Sequence, residues 1–460
     1  MSLNIKLGAI RGSLGRLKCS FRPNNNLRLG STMTKVNGNS YFQRYCEKDV
    51  WNLVNEAAAD AASNPKNANR EIINLGQGYF THPSPDFVIE EAKKALDVQP
   101  LNQYAPPRGT PNLVKALTDF YSPIYGRQLG PENVQVTTGA NEGILSCLVG
   151  LLNAGDEVIL IEPFFDQYVW NIIMVGGVVR YVPMHQPKDI SNRVTEGPEW
   201  QIDYEKLAAT ITDKTKAIIL NNPHNPLAKV FTREELLKIG NLCVENNVYI
   251  IADEVYENLY YGDSFTKIAT LSPEIGQLTL SVGSAGKLFA VTGWRVGWVI
   301  SENPGLLDLV NRAHTRICFC SPTPLQEACA KSLQVALHSD YTKVMRKDYI
   351  TKAKILTDAL DDIGVTYTRP EGAYFIMADF SKFKIPEDFK FPLEFQNKAL
   401  DYKLVYWLLN EIGIVFIPCS ASYSAEHCDS NISLLRLAFC KDDAALHRAA
   451  NRLRSLKEYL

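Results

Sequence analysis

From about Asn133 the chain alternates between short apolar runs with strand character and longer stretches whose apolar residues recur at helical spacing. NVQVTTG reads as a buried strand and ANEGILSCLVGLL, directly after it, as a helix. The pattern continues with GDEVILIEP (strand), DQYVWNIIMVGG (helix), VVRYVPM (strand) and TKAIILNNP (strand). TREELLKIGNLCVENN then opens with Thr232 and, three residues on, Glu235, the signature of a helix N-terminus closed by a capping box. VYIIADE, LTLSVGS and VGWVIS are further short strands. Strands that alternate with helices predict an α/β fold, a mostly parallel sheet flanked by helices on both faces. From about Pro324 the pattern changes to two long amphipathic helices, LQEACAKSLQVALHSD and YTKVMRKDYITKAKILTDALDDIG. A smaller α+β ending follows in GAYFIMADF, YKLVYWLLNEIG, IVFIP, LLRLAF and DDAALHRAANRLRSLKEYL, with the Pro- and Phe-rich FSKFKIPEDFKFPLEFQ as a loop. There is no internal repeat.

Charge and composition remove several function classes. Lys plus Arg number 48 against 50 Asp plus Glu. That balance gives no electrostatic footprint for nucleic acid. No apolar run approaches the ~20 residues that span a bilayer. Ten cysteines are scattered without a C-x-x-C pair, Cys318 and Cys320 being the closest, so free thiols in a reducing compartment are expected. Seven dispersed histidines show no metal-ligand spacing, and no metal site is expected.

The start of the chain is different. Between Met1 and Cys46 there is no Asp or Glu, while Lys6, Arg11, Arg16, Lys18, Arg22, Arg28, Lys35 and Arg44 are spread through it. This is the composition of a mitochondrial transit peptide, or of a disordered basic arm without an address. Met33 offers an internal start that would leave a cytosolic form, so the expected compartment is mitochondrial, cytoplasmic or both.

The chemistry concentrates in SVGSAGKLFAVTGWRVGW, Ser281 to Trp298. Lys287 follows a strand within a run of small residues that lets other groups approach its amine. A desolvated lysine near other cations has a lowered pKa and forms Schiff bases. Ser284 and Arg295 flank it, both able to hold an anion. A P-loop is excluded, because Ser281 stands for its first glycine and Leu288 for its hydroxyl residue. No G-x-G-x-x-G follows a strand. If Lys287 binds pyridoxal phosphate, the ring nitrogen needs a carboxylate partner. Asp253 ends the strand VYIIAD, at the edge where α/β sites lie, although a strand-end turn would also use Asp there. Tyr256 and Asn225 (in NNPHNPLAK) are donors for the ring hydroxyl. Gly139-Ala140-Asn141 opens a helix whose amides suit a phosphate. Phe165 in EPFFDQY offers an aromatic face.

GSAGK with TGWRVGW, DEVYE, NNPHNP, EPFFDQY, TTGANEG, INLGQG and LNQY, in this set of separated elements, resemble the fold-type-I, class-I aminotransferases. Within them the chain is similar to the kynurenine aminotransferase and glutamine transaminase K branch, most narrowly its fungal kynurenine aminotransferase members. The likeness runs from about residue 48 to the C-terminus. It implies pyridoxal 5′-phosphate as cofactor, with Lys287 as the covalent, proton-shuttling lysine, Asp253 as ring-nitrogen partner, and Tyr256 and Asn225 on the ring hydroxyl. Ser284, Arg295 and the amides of Ala140 and Asn141 fall at phosphate positions, and Phe165 at the stacking position. Tyr104 in LNQY matches a tyrosine that reaches the phosphate of the neighbouring subunit, which implies a homodimer with shared sites. Arg436 in LLRLAF matches the arginine that grips the substrate α-carboxylate, and Gly78 lies against that carboxylate. Trp51 and Phe319 match aromatic pocket positions, where plain core packing is an equal alternative.

The resemblance further implies transamination of an aromatic L-amino acid, L-kynurenine with 2-oxoglutarate, giving kynurenic acid and glutamate. Cysteine-S-conjugate β-lyase chemistry and glutamine or aromatic amino acid transamination are the alternatives within the family. A ligand-sensing regulator would need a DNA-binding module, for which the basic start leaves no room. The expected organisation is a transit peptide or basic arm at 1–32, a segment at 33–75 packing on the small domain, a large cofactor-binding domain at 76–325 and a small domain at 326–460. One departure stands out: the family turn N-P-x-G reads Asn225-Pro226-Leu227-Ala228. If Ala228 must take a positive φ, it is strained by ~1 kcal/mol or more.

Overall fold

A computed structural model describes residues 49–63 and 70–460. The expectations for the basic start and for Met33 lie outside the described residues. The central sheet has eight strands, in the spatial order Val134–Thr137, Gly297–Ile300, Thr279–Ser284, Tyr249–Asp253, Thr215–Asn221, Glu157–Glu162, Val178–His185 and Gln201–Ile202. The five strands from Thr279–Ser284 to Val178–His185 run parallel, as the alternation predicts. Gly297–Ile300 is antiparallel to both its neighbours, and Gln201–Ile202 is antiparallel at the other end. A parallel neighbour needs a crossover helix. The link into Gly297–Ile300 contains only the short helix Ala285–Leu288 and a single 3-10 turn, so the chain doubles back instead.

Every residue of Glu157–Glu162 is buried. Its alternate residues feed different cores, Ile159 and Ile161 one face and Val158 and Leu160 the other. Ile218 and Leu220 against Ala217 and Ile219 repeat this on the next strand. The helix Arg233–Asn246 covers the first face with Leu236, Ile239 and Cys243; Ala140–Leu151 covers the second with Ile144, Cys147, Leu148 and Leu151. The capping box is present: Glu235 N–H donates to Thr232 Oγ1 at 3.2 Å and Thr232 N–H to Glu235 Oε2 at 2.8 Å.

The C-terminal region has its own four-stranded sheet, in the order Thr366–Thr368, Phe375–Asp379, Leu434–Ala438 and Ile417–Pro418, all antiparallel. The helix Val50–Ser63 shares that region's core through Val50, Leu53, Val54 and Ala57, alongside Leu404, Leu408 and Val415. Ile73–Asn74 pairs with Ile414–Val415. The loop predicted over FSKFKIPEDFKFPLEFQ holds one short helix, Leu393–Gln396. Among the described residues no helix is long and apolar enough to cross a membrane, and the eight described cysteines are free.

Candidate active site

The carboxyl ends of Val134–Thr137, Glu157–Glu162, Thr215–Asn221, Tyr249–Asp253 and Thr279–Ser284 share one edge of the sheet. A cavity of about 250 Å³ opens there. Of the fourteen residues singled out from sequence, Lys287, Asp253, Tyr256, Ala140, Asn141, Phe165, Asn225, Ser284, Arg295, Gly78, Arg436 and Trp51 line it. Tyr104 and Phe319 do not. They meet edge-on with ring centroids 5.4 Å apart, 85% and 50% exposed on the surface.

Asp253 lies in register with Asn221 and Val282, at the last pair of each ladder. Tyr168 donates its hydroxyl to Asp253 Oδ2, and Val255 N–H approaches Oδ1 at 3.4 Å. Burial pushes the carboxyl pKa up, and the Tyr168 hydrogen bond opposes that shift. Lys287 Nζ donates to the Tyr374 hydroxyl at 2.7 Å. Burial pulls its pKa down to about 8; Cys440 and, less, Asp253 act against this, and Arg295 and Arg436 add to it. No carboxylate stands within ion-pair distance of that amine among the described residues. Burial raises the Tyr256 pKa, so its hydroxyl stays protonated and able to donate.

Gly139 precedes the helix Ala140–Leu151 with φ 81° and offers it no side-chain cap. Its positive φ favours glycine, and a Cβ there would lie 2.5 Å from Arg295 Nη2 and push that guanidinium aside. The first amides of the helix are thereby left to an anion from outside the chain. The Asn141 side chain is engaged elsewhere: its Oδ1 accepts from Asn171 Nδ2 at 2.9 Å. Arg295, at φ 53°, reaches back towards this helix start.

Arg436 enters from the C-terminal sheet, where it is in register with Met377 on one side and Ile417 on the other. It is 4% exposed, yet has no acidic partner among the described residues. Nη1 donates to Asn225 Oδ1 and Nη2 to the Gly76 carbonyl, both at 2.7 Å, while Nε has no partner. Since guanidinium only donates, this contact fixes the Asn225 amide and frees its NH₂ group. The Phe375 ring lies 4.4 Å and the Trp51 ring 5.3 Å from the guanidinium, so Trp51 belongs to the cavity wall as well as to the hydrophobic core. Trp51 Nε1 donates to Asp166 Oδ2 at 3.0 Å.

Ala228 has φ 62° and is fully buried, as the departure from N-P-x-G predicts. Its carbonyl accepts from Glu371 and Gly372 N–H at 2.9 and 3.0 Å, contacts that hold the turn despite the strain. Six cavity residues were not found by sequence reasoning, Ile144, Tyr168, Asn221, Val255, Tyr374 and Phe375, and of these Tyr168 and Tyr374 set a hydroxyl against Asp253 and Lys287. A further surprise is Glu142, His314 and Cys318, whose ligand-type atoms lie within 4.8 Å of one another. Hydrogen bonds already engage them, His314 Nδ1 with Glu142 at 3.0 Å and with Cys318 at 3.3 Å.

A mostly parallel sheet, a lysine and a carboxylate at adjoining strand ends, and a buried arginine without an acidic partner among the described residues fit a transferase of amino groups. The chain belongs to the class I and II aminotransferase family, whose model matches residues 70–453, and that family works with pyridoxal 5′-phosphate. Over 432 residues the chain is 59% identical to the probable kynurenine–oxoglutarate transaminase BNA3 of Saccharomyces cerevisiae, covering 94% of this chain and 97% of that one. The crystal structure of that yeast protein, described as a putative kynurenine aminotransferase, superposes with a TM-score of 0.90 over 93% of this chain and 100% of its own. The kynurenine–oxoglutarate transaminase of Dictyostelium discoideum is 38% identical, over 84% of this chain and 91% of its own. YbdL of Escherichia coli, a structure with a methionine aminotransferase function, is 26% identical with a TM-score of 0.79, over 92% of this chain and 100% of its own.

Proposed function

We propose that the chain transaminates L-kynurenine with 2-oxoglutarate as acceptor, giving glutamate and an oxo acid that closes to kynurenic acid. The names of its relatives support the substrates. One observation carries the chemistry: a half-buried amine and a buried guanidinium, neither with an acidic partner among the described residues, share a cavity with a buried carboxylate. The donor set fits pyridoxal phosphate. Asp253 would partner its ring nitrogen, Tyr256 and Asn225 would donate to its hydroxyl oxygen, Phe165 would offer an aromatic face, and Ser284, Arg295 and the amides of Ala140 and Asn141 would hold its phosphate.

Bound pyridoxal phosphate supplies an electron sink when a substrate Cα–H bond breaks. Arg436 grips the substrate α-carboxylate bidentately, and the small Gly78 lets that carboxylate come close to the backbone. Lys287 Nζ would take the substrate Cα proton and carry it to the cofactor carbon rather than return it. A pKa near 8 suits both duties at neutral pH. Trp51 walls the substrate side of the guanidinium.

The exposed Tyr104–Phe319 pair supports a homodimer in which each subunit lends these rings to the other's site; a solution mass of 51.5 kDa, that of one chain, would count against it. The acid-free basic start supports import into mitochondria, with a cytosolic form made from Met33. A reporter carrying residues 1–32 that stays in the cytosol would argue against import. The deciding experiment is borohydride reduction of the cofactor-loaded protein followed by peptide mapping, with a donor and acceptor panel read by cofactor absorbance. The tag is expected on Lys287, and Lys287→Ala is expected to lose both tag and turnover. A tag elsewhere, or kynurenine inert beside other donors, overturns the reading.

A further inference from the structure

Tyr374 has no part in the roles given above, yet its hydroxyl stands at a junction. Lys287 Nζ donates to it at 2.7 Å, and it donates to the Gly78 carbonyl at 2.9 Å. Its single proton is committed to Gly78, so it faces the lysine as an acceptor. The ring has little freedom: Tyr256 meets it edge-on at 5.0 Å, Phe375 lies at 4.7 Å, and Tyr349 stacks at 6.2 Å. The fit against the backbone is close, because a Cβ on Gly78 would lie 2.9 Å from Tyr374 Cε2. The same short stretch also holds the other functional group, since Arg436 donates to the carbonyl of Gly76.

We infer that Tyr374 is the positioning residue for the reactive lysine, holding its amine by one hydrogen bond and tying it to the segment that also anchors Arg436. An acceptor at this distance favours the ammonium over the amine and so offsets part of the effect of burial. Carboxylate grip and lysine placement thus share one piece of backbone, and the lysine released during the reaction returns to a defined direction. The kinetic part of this inference rests on the proposed role of Lys287; the contact itself does not.

Tyr374→Phe keeps the ring and removes only the oxygen. In the cofactor-free protein, labelling of Lys287 by fluorodinitrobenzene, followed by peptide mass spectrometry against pH, is expected to shift its midpoint down by about one unit. In the loaded enzyme kcat is expected to fall by at least about tenfold while KM changes by less than about twofold, with a larger deuterium isotope effect for substrate labelled at Cα. A purely structural role would instead raise KM or lower stability and leave the labelling midpoint alone. An unchanged midpoint overturns the inference, as does a kcat within about twofold of the parent. Failure of the unsubstituted protein to attach cofactor at Lys287 would sink the role of that lysine instead, and the labelling result would still decide for or against Tyr374.

Discussion

Two lysines of the α/β region are pushed in opposite directions by their surroundings. Lys267 Nζ donates to Glu254 and to Glu257, each at 2.5 Å. Burial acts to lower its pKa, but the two carboxylates outweigh it and hold it above the usual lysine range. Lys287 lines the cavity with part of its surface open, and burial of its amine drives its pKa down to about 8. Asp253 shares its cavity, but the Asp253 carboxylate is held by Tyr168 and the Val255 amide rather than by the amine. What separates the lysine held above the usual range from the one held below it is therefore the supply of acids around each amine, since desolvation acts on both.

Removing each amine tests that contrast. Lys267→Met strands two carboxylates in the interior and is expected to destabilise the protein by about 3–5 kcal/mol, read in urea melts. The loss should shrink as pH falls through the carboxylate range, because Glu254, whose pKa burial pushes up, then takes a proton. Turnover per folded molecule should hold within about twofold; a collapse in kcat would break the distinction. Lys287→Met in the cofactor-free protein should act with the opposite sign. Its folded pKa of about 8 lies below the ordinary 10.5, so the penalty is complete below pH 8 and fades as pH rises from 8 to 10.5. The variant should gain up to roughly 3 kcal/mol at pH 7, with the advantage gone near pH 10.5. An advantage that does not shrink with pH would mean that charge is not its source. The smallest effect belongs to a cost of another kind, carried by backbone. Ala228→Gly relieves the positive φ and is expected to add about 0.5–1 kcal/mol with kcat unchanged. A loss of stability would show that the methyl group packs well enough to outweigh its strain.

The α/β alternation was legible because the inner strands are buried on both faces and the helices between them carry apolar residues at helical spacing. Lys287, Asp253 and Asn225 were legible because each closes or follows a strand within a local motif. Tyr168 and Tyr374 were not. Their partners lie 85 and 87 residues away, and tyrosine in an apolar run reads as core until the fold sets the hydroxyl against a charge. The reversal of Gly297–Ile300 was equally hidden, since an apolar run of four residues carries no direction. Trp51 stayed ambiguous for a physical reason: one face of the indole packs in the core while the ring also neighbours Arg436.

Arg436 sits on the last strand of the protein, far downstream of the amine it serves. Under the proposed roles, the residues assigned to the cofactor are synthesised before the arginine assigned to the substrate. A shortened product ending before Leu434 would lack Arg436 and, under those roles, would be expected to carry out no transamination.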